Sequence, residues 1–321
     1  NTEYKKIFPI RYINIKTSKS ILSSQTKNYV KRFINLEKNN NSSIIEIHNR
    51  PTYVKILSSK FKKKIISLYF HNDPLSMDGS ESIEDRKFLL KTCYKIIFNS
   101  NWSKKRFLEG MESKFVNSDK LSVFYQSAQK GSLSLLKNKK KWITFVGKLN
   151  KAKGYDIFCK AIKDVLNKNP SWQAQIIGDE KREKIELSHK NANLLGFKKH
   201  RDVINIFKKS SIAVVCSRWE EPFGRTSLEA SANGCAVIIT NRGGLPETIT
   251  NAKILKNLSS VELKKLLNSL IKNSFLRKNL QRLSIKNFYL THKYVANNID
   301  NYRQDKIQSV KKIYIPKKKS K

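Results

Sequence analysis

Glu221-Pro222-Phe223-Gly224-Arg225-Thr226-Ser227-Leu228-Glu229 is the stretch whose reading decides the fold. It sets two carboxylates eight residues apart, the first in a turn built on Pro222 and Gly224, the second on the helix that the turn opens. An apolar run at 212–216 precedes it, and another at 235–240 follows Gly234, which sits where a helix over 226–233 would end. The segment therefore reads as strand, loop, helix, strand, with its loop at the carboxyl end of a strand, where open α/β sheets bind ligands. Carboxylates accept hydrogen bonds from hydroxyls and free helix amides donate to phosphates, so the pattern suits a ligand carrying both. A helix-start Glu is also a favourable partner for the helix dipole on its own.

Working outward, the alternation continues. Strands are expected at 143–147, 173–178 and 193–196, with an edge strand at 252–255. A helix over 155–166 is marked by Ile157, Phe158, Ala161, Ile162 and Val165 and closed by Pro170. Further helices are expected at 201–209, 260–271, 275–289 and 293–302. Earlier in the chain, apolar runs at 43–47, 65–70 and 95–98 open into His48-Asn49-Arg50-Pro51, His71-Asn72-Asp73-Pro74 and Asn99-Ser100-Asn101-Trp102. The expected fold class is α/β, with two doubly wound, Rossmann-like domains facing a cleft. Residues 1–141 form the first domain, read as incomplete because no glycine-rich loop precedes Ser43. Residues 142–290 form the second, 291–321 a closing helix and basic tail, and the Lys-rich run 138–141 the linker.

The chain has 321 residues and a formal net charge of +40. Lysines dominate that charge and are spread over nearly every segment, alongside abundant Asn and Ile. This is a compositional bias rather than a basic groove, and arginine forks for bases are scarce. Nucleic acid is therefore not the expected partner, although a basic nucleic-acid-binding protein is kept as a third reading. Attraction to anionic membrane surfaces is expected from the charge, including Lys311-Lys312 and Lys317-Lys318-Lys319 in the tail. No run of about 18 apolar residues marks a membrane span, and no leader peptide is visible. Cys93, Cys159, Cys216 and Cys235 lack CxxC spacing and read as reduced thiols of a cytoplasmic protein.

Two more loops fall at strand ends. Gly147-Lys148-Leu149-Asn150-Lys151-Ala152-Lys153-Gly154 offers two ammonium groups beside a helix start, a pattern that suits a diphosphate as well as an ordinary lysine-rich surface. Gly243-Gly244-Leu245-Pro246-Glu247 lets its backbone line the same cleft or form a plain turn.

The order and spacing of these three segments resemble those of the retaining glycosyltransferases of family 4, glycosyl transferases group 1 with the GT-B fold. The resemblance implies a metal-independent, retaining enzyme of hexosyltransferase type. It would move sugar from a UDP- or GDP-sugar to a glycan or lipid-linked acceptor in cell-surface polysaccharide or lipopolysaccharide synthesis, in the cytoplasm or at the cytoplasmic face of the inner membrane. Carried over residue by residue, Gly147, Lys148 and Lys153 would hold the diphosphate, Lys148 standing where the family usually has Arg. Glu229 would bind the ribose, Gly196 and Phe197 the base. The backbone at Phe223, Gly224, Arg225 and Thr226 would meet the sugar and the distal phosphate. Glu221 would contact the transferred sugar, and His71 would stand near the reacting centre. No cofactor and no metal is implied, there being no Asp-x-Asp motif. A catalytically impaired remnant that binds nucleotide sugar without transferring it is the alternative.

Overall fold

The computed structural model describes residues 13, 15, 25–40 and 42–314, the side chains beyond 304 excepted. Lys317-Lys318-Lys319 and most of the segment before Ser43 lie outside the described residues. Helix α1 (Gln25–Lys38) is followed by β1 (Ile44–His48), α2 (Pro51–Lys60), β2 (Ile65–Phe70), α3 (Ile83–Thr92), β3 (Lys95–Phe98), α4 (Asn101–Leu108) and β4 (Leu121–Val123). These four strands pair in parallel in the order β1-β2-β3-β4. One face is apolar: Ile45, Ile47, Ile66, Leu68, Phe70 and Ile96 pack against Val54, Leu57, Leu89 and Phe107. The period-2 pleat sends the intervening residues Glu46, Ser67 and Tyr69 to the other face.

The second sheet holds β5 (Lys140–Val146), β6 (Gln173–Ile177), β7 (Ala192–Leu194), β8 (Ser210–Val215), β9 (Ala236–Thr240) and β10 (Ala252–Leu255). All are parallel, ordered β10-β9-β8-β5-β6-β7, so β10 is the expected edge strand. Both faces are buried, which is why these strands read as unbroken apolar runs. Ile212, Val214, Ala236 and Ile238 face α5 (Tyr155–Lys168) and α8 (Ser260–Lys272). Ala213, Val237 and Ile239 face α6 (His200–Lys209) and α7 (Arg225–Ala232). Eight of the fourteen residues of α5 are buried, Tyr155, Phe158, Ile162 and Val165 among them. At about 1.5–3 kcal/mol per buried large side chain, this helix face is a principal anchor of the domain.

Two expectations are corrected. Residues 138–141 are not a linker, because Lys140 and Lys141 begin β5. Lys140 lies over the Trp142 ring at 4.9 Å, and neighbouring Lys139, which is half-buried, donates to the carbonyls of Phe207 and Asn233 at 2.9 and 2.7 Å. The lysine stems pack while their heads find acceptors, which a charge count cannot foresee. The chain crosses between domains upstream, where Ala128 bridges Thr291 and its amide donates to Leu290 O at 3.0 Å. The same bridge shortens the expected 275–289 helix: α9 (Ser274–Lys286) stops so that the chain can return. Helix α10 (His292–Tyr314) then runs back onto the polar face of the first sheet, where Tyr302 bonds Ser67 at 2.8 Å and Arg303 pairs with Glu46 at 2.6 Å.

All four cysteines are buried and unpaired, and burial raises the thiol of Cys159 to about 11 and those of Cys93 and Cys216 to about 12. No helix among the described residues is long and apolar enough to cross a membrane.

Candidate active site

The carboxyl ends of the two sheets meet. Ser100, after β3, donates through Oγ to Pro222 O at 2.5 Å, and Ser103 Oγ reaches the same carbonyl at 3.3 Å. Glu247, after β9, receives the backbone amides of Asn101 and Trp102 at 2.7 and 2.9 Å, and the Tyr125 hydroxyl at 3.0 Å. A carboxylate of one domain thus caps a helix of the other, with its charge at the positive end of the helix dipole.

At this junction a pocket of about 70 Å³ is lined by Gly147, Lys153, Glu221, Gly224, Arg225 and Thr226, with the ends of β5 and β8 behind it. Two glycines fix its walls. Gly154 has φ +71°, and a Cβ there would stand 1.8 Å from Cys216 O. Gly243 has φ +58°, and a Cβ would stand 2.1 Å from Glu221 O. Only glycine lets these loops nest on the strand tip that carries Glu221. Gly244 N then donates to Glu221 O at 2.6 Å, and the Glu220 carboxylate accepts from Gly243 N and pairs with Arg242 at 2.8 Å.

Lys153 Nζ forms an ion pair with Glu221. The expected cation and the expected carboxylate thus partner each other. Glu229, its side chain only 8% exposed, is held at Oε1 by Arg225 Nη2 at 2.8 Å and His200 Nε2 at 3.0 Å. His200 opens α6 just after Gly196 and Phe197, so the expected ribose and base positions are neighbours through it. Phe197 is 76% exposed, and the space beside Gly196 is open.

Not every expected residue enters the pocket. Lys148 is exposed on its loop. The Phe223 side chain is 2% exposed and packs on Tyr125, with ring centroids 5.8 Å apart, in a cluster with Ala128, Leu228 and Phe288, so only its backbone can face a ligand. His71 stands at the tip of β2. Asn99 Nδ2 donates to His71 O at 2.9 Å, and Asn99 Oδ1 accepts from Ser103, which bonds Pro222 O, so two side chains link His71 to the Glu221 turn. Burial, with His48 adding to it, pushes the His71 imidazole down to about 4. Among the described residues, no group of three or more His, Cys, Asp or Glu side chains could hold a metal ion.

Sequence reasoning missed the roles of Glu220, His200 and Glu247. Glu247 stood in a recognised motif, but its partners lie about 146 residues away. No local signal marks His200.

Residues 131–287 match the family model described as Glycosyl transferases group 1. Spore coat protein SA of Bacillus subtilis is 26% identical over 237 residues, 65% of this chain and 63% of that protein. An uncharacterized 42.6 kDa protein in the cps region of Klebsiella pneumoniae is 30% identical over 182 residues, 55% of this chain and 45% of that protein. The chain thus spans less than two thirds of the length of these relatives. Among solved structures, Anabaena Alr3699/HepE in complex with UDP and glucose superposes with a TM-score of 0.68, covering 86% of this chain and 81% of that one at 17% identity. At that identity the likeness shows the fold: α/β with parallel sheets, of GT-B type.

Proposed function

We propose, for a chain whose residues 131–287 carry a glycosyl transferases group 1 domain, that it transfers a sugar from a nucleotide-diphosphate sugar to a hydroxyl of a glycan or lipid-linked acceptor. The observation that carries this reading is the Lys153–Glu221 pair in the pocket at the ends of β5 and β8, with Glu229 close by on α7. A ligand bearing phosphates and hydroxyls can re-partner both members of that pair: the ammonium turns to the diphosphate and the carboxylate to sugar hydroxyls. The amides opening α7 add donors for the distal phosphate. Glu229, already steadied by Arg225 and His200, accepts from the ribose, and Phe197 offers a face to the base.

In the reaction the acceptor oxygen bonds to the anomeric carbon as the bond from that carbon to the phosphate oxygen breaks. The acceptor proton passes to the leaving diphosphate, which Lys153 and the helix amides stabilise as its charge grows. Attack on the same face gives retention, and the cations of the protein take the part a metal ion would otherwise play. The cps-region relative supports an acceptor in cell-surface polysaccharide or lipopolysaccharide synthesis. The high positive charge supports work at an anionic membrane face.

Calorimetric binding of UDP and GDP tests this. One nucleotide is expected to bind, and Lys153→Ala and Glu229→Ala each weaken it by about 10- to 100-fold, the loss of one charge-assisted interaction. A folded protein that binds neither nucleotide refutes the reading. Binding without transfer or donor hydrolysis selects the impaired-remnant alternative.

A further inference from the structure

His71 is held from three directions. Its backbone amide donates to Asn49 Oδ1 at 2.7 Å, its carbonyl accepts from Asn99 Nδ2 at 2.9 Å, and its ring Nε2 lies 2.9 Å from His48 Nδ1. The two imidazoles are parallel within 2°, with centroids 5.2 Å apart. Asn49 is the one non-glycine residue at positive φ (+53°) among those described. That conformation carries a cost, and the structure uses it to aim the Asn49 side chain at His71. His48 is supported in turn. Its ring stacks on Tyr69 at 4.5 Å, and the Tyr69 hydroxyl donates to Glu46 at 2.9 Å. Arg303 of α10 holds the same carboxylate at 3.0 and 2.6 Å.

We propose that His48 is a positioning residue that fixes the ring plane and tautomer of His71, leaving His71 Nδ1 as the ring atom offered to a ligand in the cleft. The inference rests on the sugar-transfer reading, in which His71 meets the reacting sugar. One of the two facing nitrogens carries a proton and the other accepts it. Two protonated rings this close would repel, so the pair takes at most one further proton. The exposed member, His48, receives it. His48 Nδ1–H then donates to His71 Nε2 and holds His71 as its Nδ1–H tautomer. The charged and titratable groups around His48 are Glu46, Arg303 and Tyr69. Burial pushes Glu46 up, but its bonds to Arg303 and Tyr69 outweigh this and keep it below its usual range, an ionised carboxylate matched by one guanidinium. The orienter-on-ring arrangement is the logic by which a second group sets which nitrogen of a histidine acts.

The test uses the full chain labelled with ¹⁵N-histidine. His48→Phe keeps an aromatic ring on Tyr69 but removes the nitrogen, and His48→Asn returns a polar atom near Nδ1. His71 is expected to show one tautomer in the native chain, a mixed signal and a higher titration midpoint in His48→Phe, and a single tautomer again in His48→Asn. Transfer by His48→Phe should fall about 10- to 100-fold in kcat with the donor KM unchanged, and recover in His48→Asn. His71 signals unaltered by His48→Phe overturn the proposal, as does equal loss of kcat in both variants. A native chain that shows no transfer refutes the proposed function alone, since the ring signals still decide the role of His48.

Discussion

The two sides of the cleft are built on opposite electrostatic plans. On the C-terminal side the carboxylates are already paired with cations, Glu221 with Lys153, Glu229 with Arg225 and Glu220 with Arg242, and Glu229 also meets His200 Nε2. On the N-terminal side the central groups are two facing imidazoles: His71, held down in basicity by burial and by His48 and fixed by asparagine side chains, and the exposed His48 beside it. A ligand bearing phosphates and hydroxyls can take over both members of such a pair, so neither charge is left without a partner. A neutral ring can meet a sugar hydroxyl without attracting the diphosphate away from the cations. Under the proposed function this contrast becomes a division of labour, with donor charge read on one side and the reacting sugar and acceptor met on the other.

The largest expected effect comes from removing what lets the charged side assemble. Gly154→Ala puts a Cβ into Cys216 O and places alanine at left-handed φ, and the two nearest atoms, Cys216 O and C, are backbone that cannot swing away. A loss of about 3–5 kcal/mol of unfolding free energy is expected, in the range of severe backbone clashes. Denaturant melting with a probe in the C-terminal domain measures it. A loss under 1 kcal/mol would mean that the loop has room to move, and the description of the pocket wall would fail.

The next effect falls on the join. Glu247→Ala removes the acceptor for two backbone amides of α4 and for the Tyr125 hydroxyl. A cost of about 2 kcal/mol is expected, as for a lost charged helix cap. Because the lost bonds run between domains, the variant should also widen the cleft, read as a larger radius of gyration in solution scattering and as weaker donor-dependent protection of α4 amides. Loss of stability with no change in either readout would make Glu247 a local cap with no part in closing the cleft.

The same contrast explains what could be read in the sequence. The charged side is written locally. Its strands are unbroken apolar runs because helices cover both faces, and its glycines, lysines and glutamates fall within short loops whose spacing is visible in one dimension. The neutral side is assembled across strands. His48 and His71 are 23 residues apart and meet only because β1 and β2 pair in parallel with His48 opposite Tyr69. Glu46, Ser67 and Tyr69 look like misplaced polar residues in a strand until α10, more than 220 residues later, is laid over them. Lys139 and Lys140 looked like linker for a related reason, since only the fold supplies the Phe207 and Asn233 carbonyls and the Trp142 ring that let lysines begin a strand. Phe223 shows the converse. Its motif announces a ligand site, but its ring serves the domain junction.

The smallest predicted effect is the one that most directly separates the two plans, because acid acts on them differently. His71 is pushed down to about 4 from a usual value near 6.5 by burial and by the neighbouring His48. Between those two values the unfolded chain binds a proton that the native chain refuses, so native stability falls as pH drops from about 6.5 and the loss is complete near 4. With the ring only half-buried, the size is about 1–2 kcal/mol after allowance for screening. His71→Asn, which cannot titrate, should flatten that part of the pH–stability curve. Nucleotide binding by the C-terminal side should not follow the same titration. Melting curves and UDP or GDP binding collected over pH 4.5–7.5, for the native chain and the variant, separate the two. If nucleotide affinity tracks the His71 titration, the imidazole side reads donor charge after all, and the division of labour across the cleft falls. If only stability tracks it, the neutral ring's contribution is kept apart from the charged pairs that receive the donor.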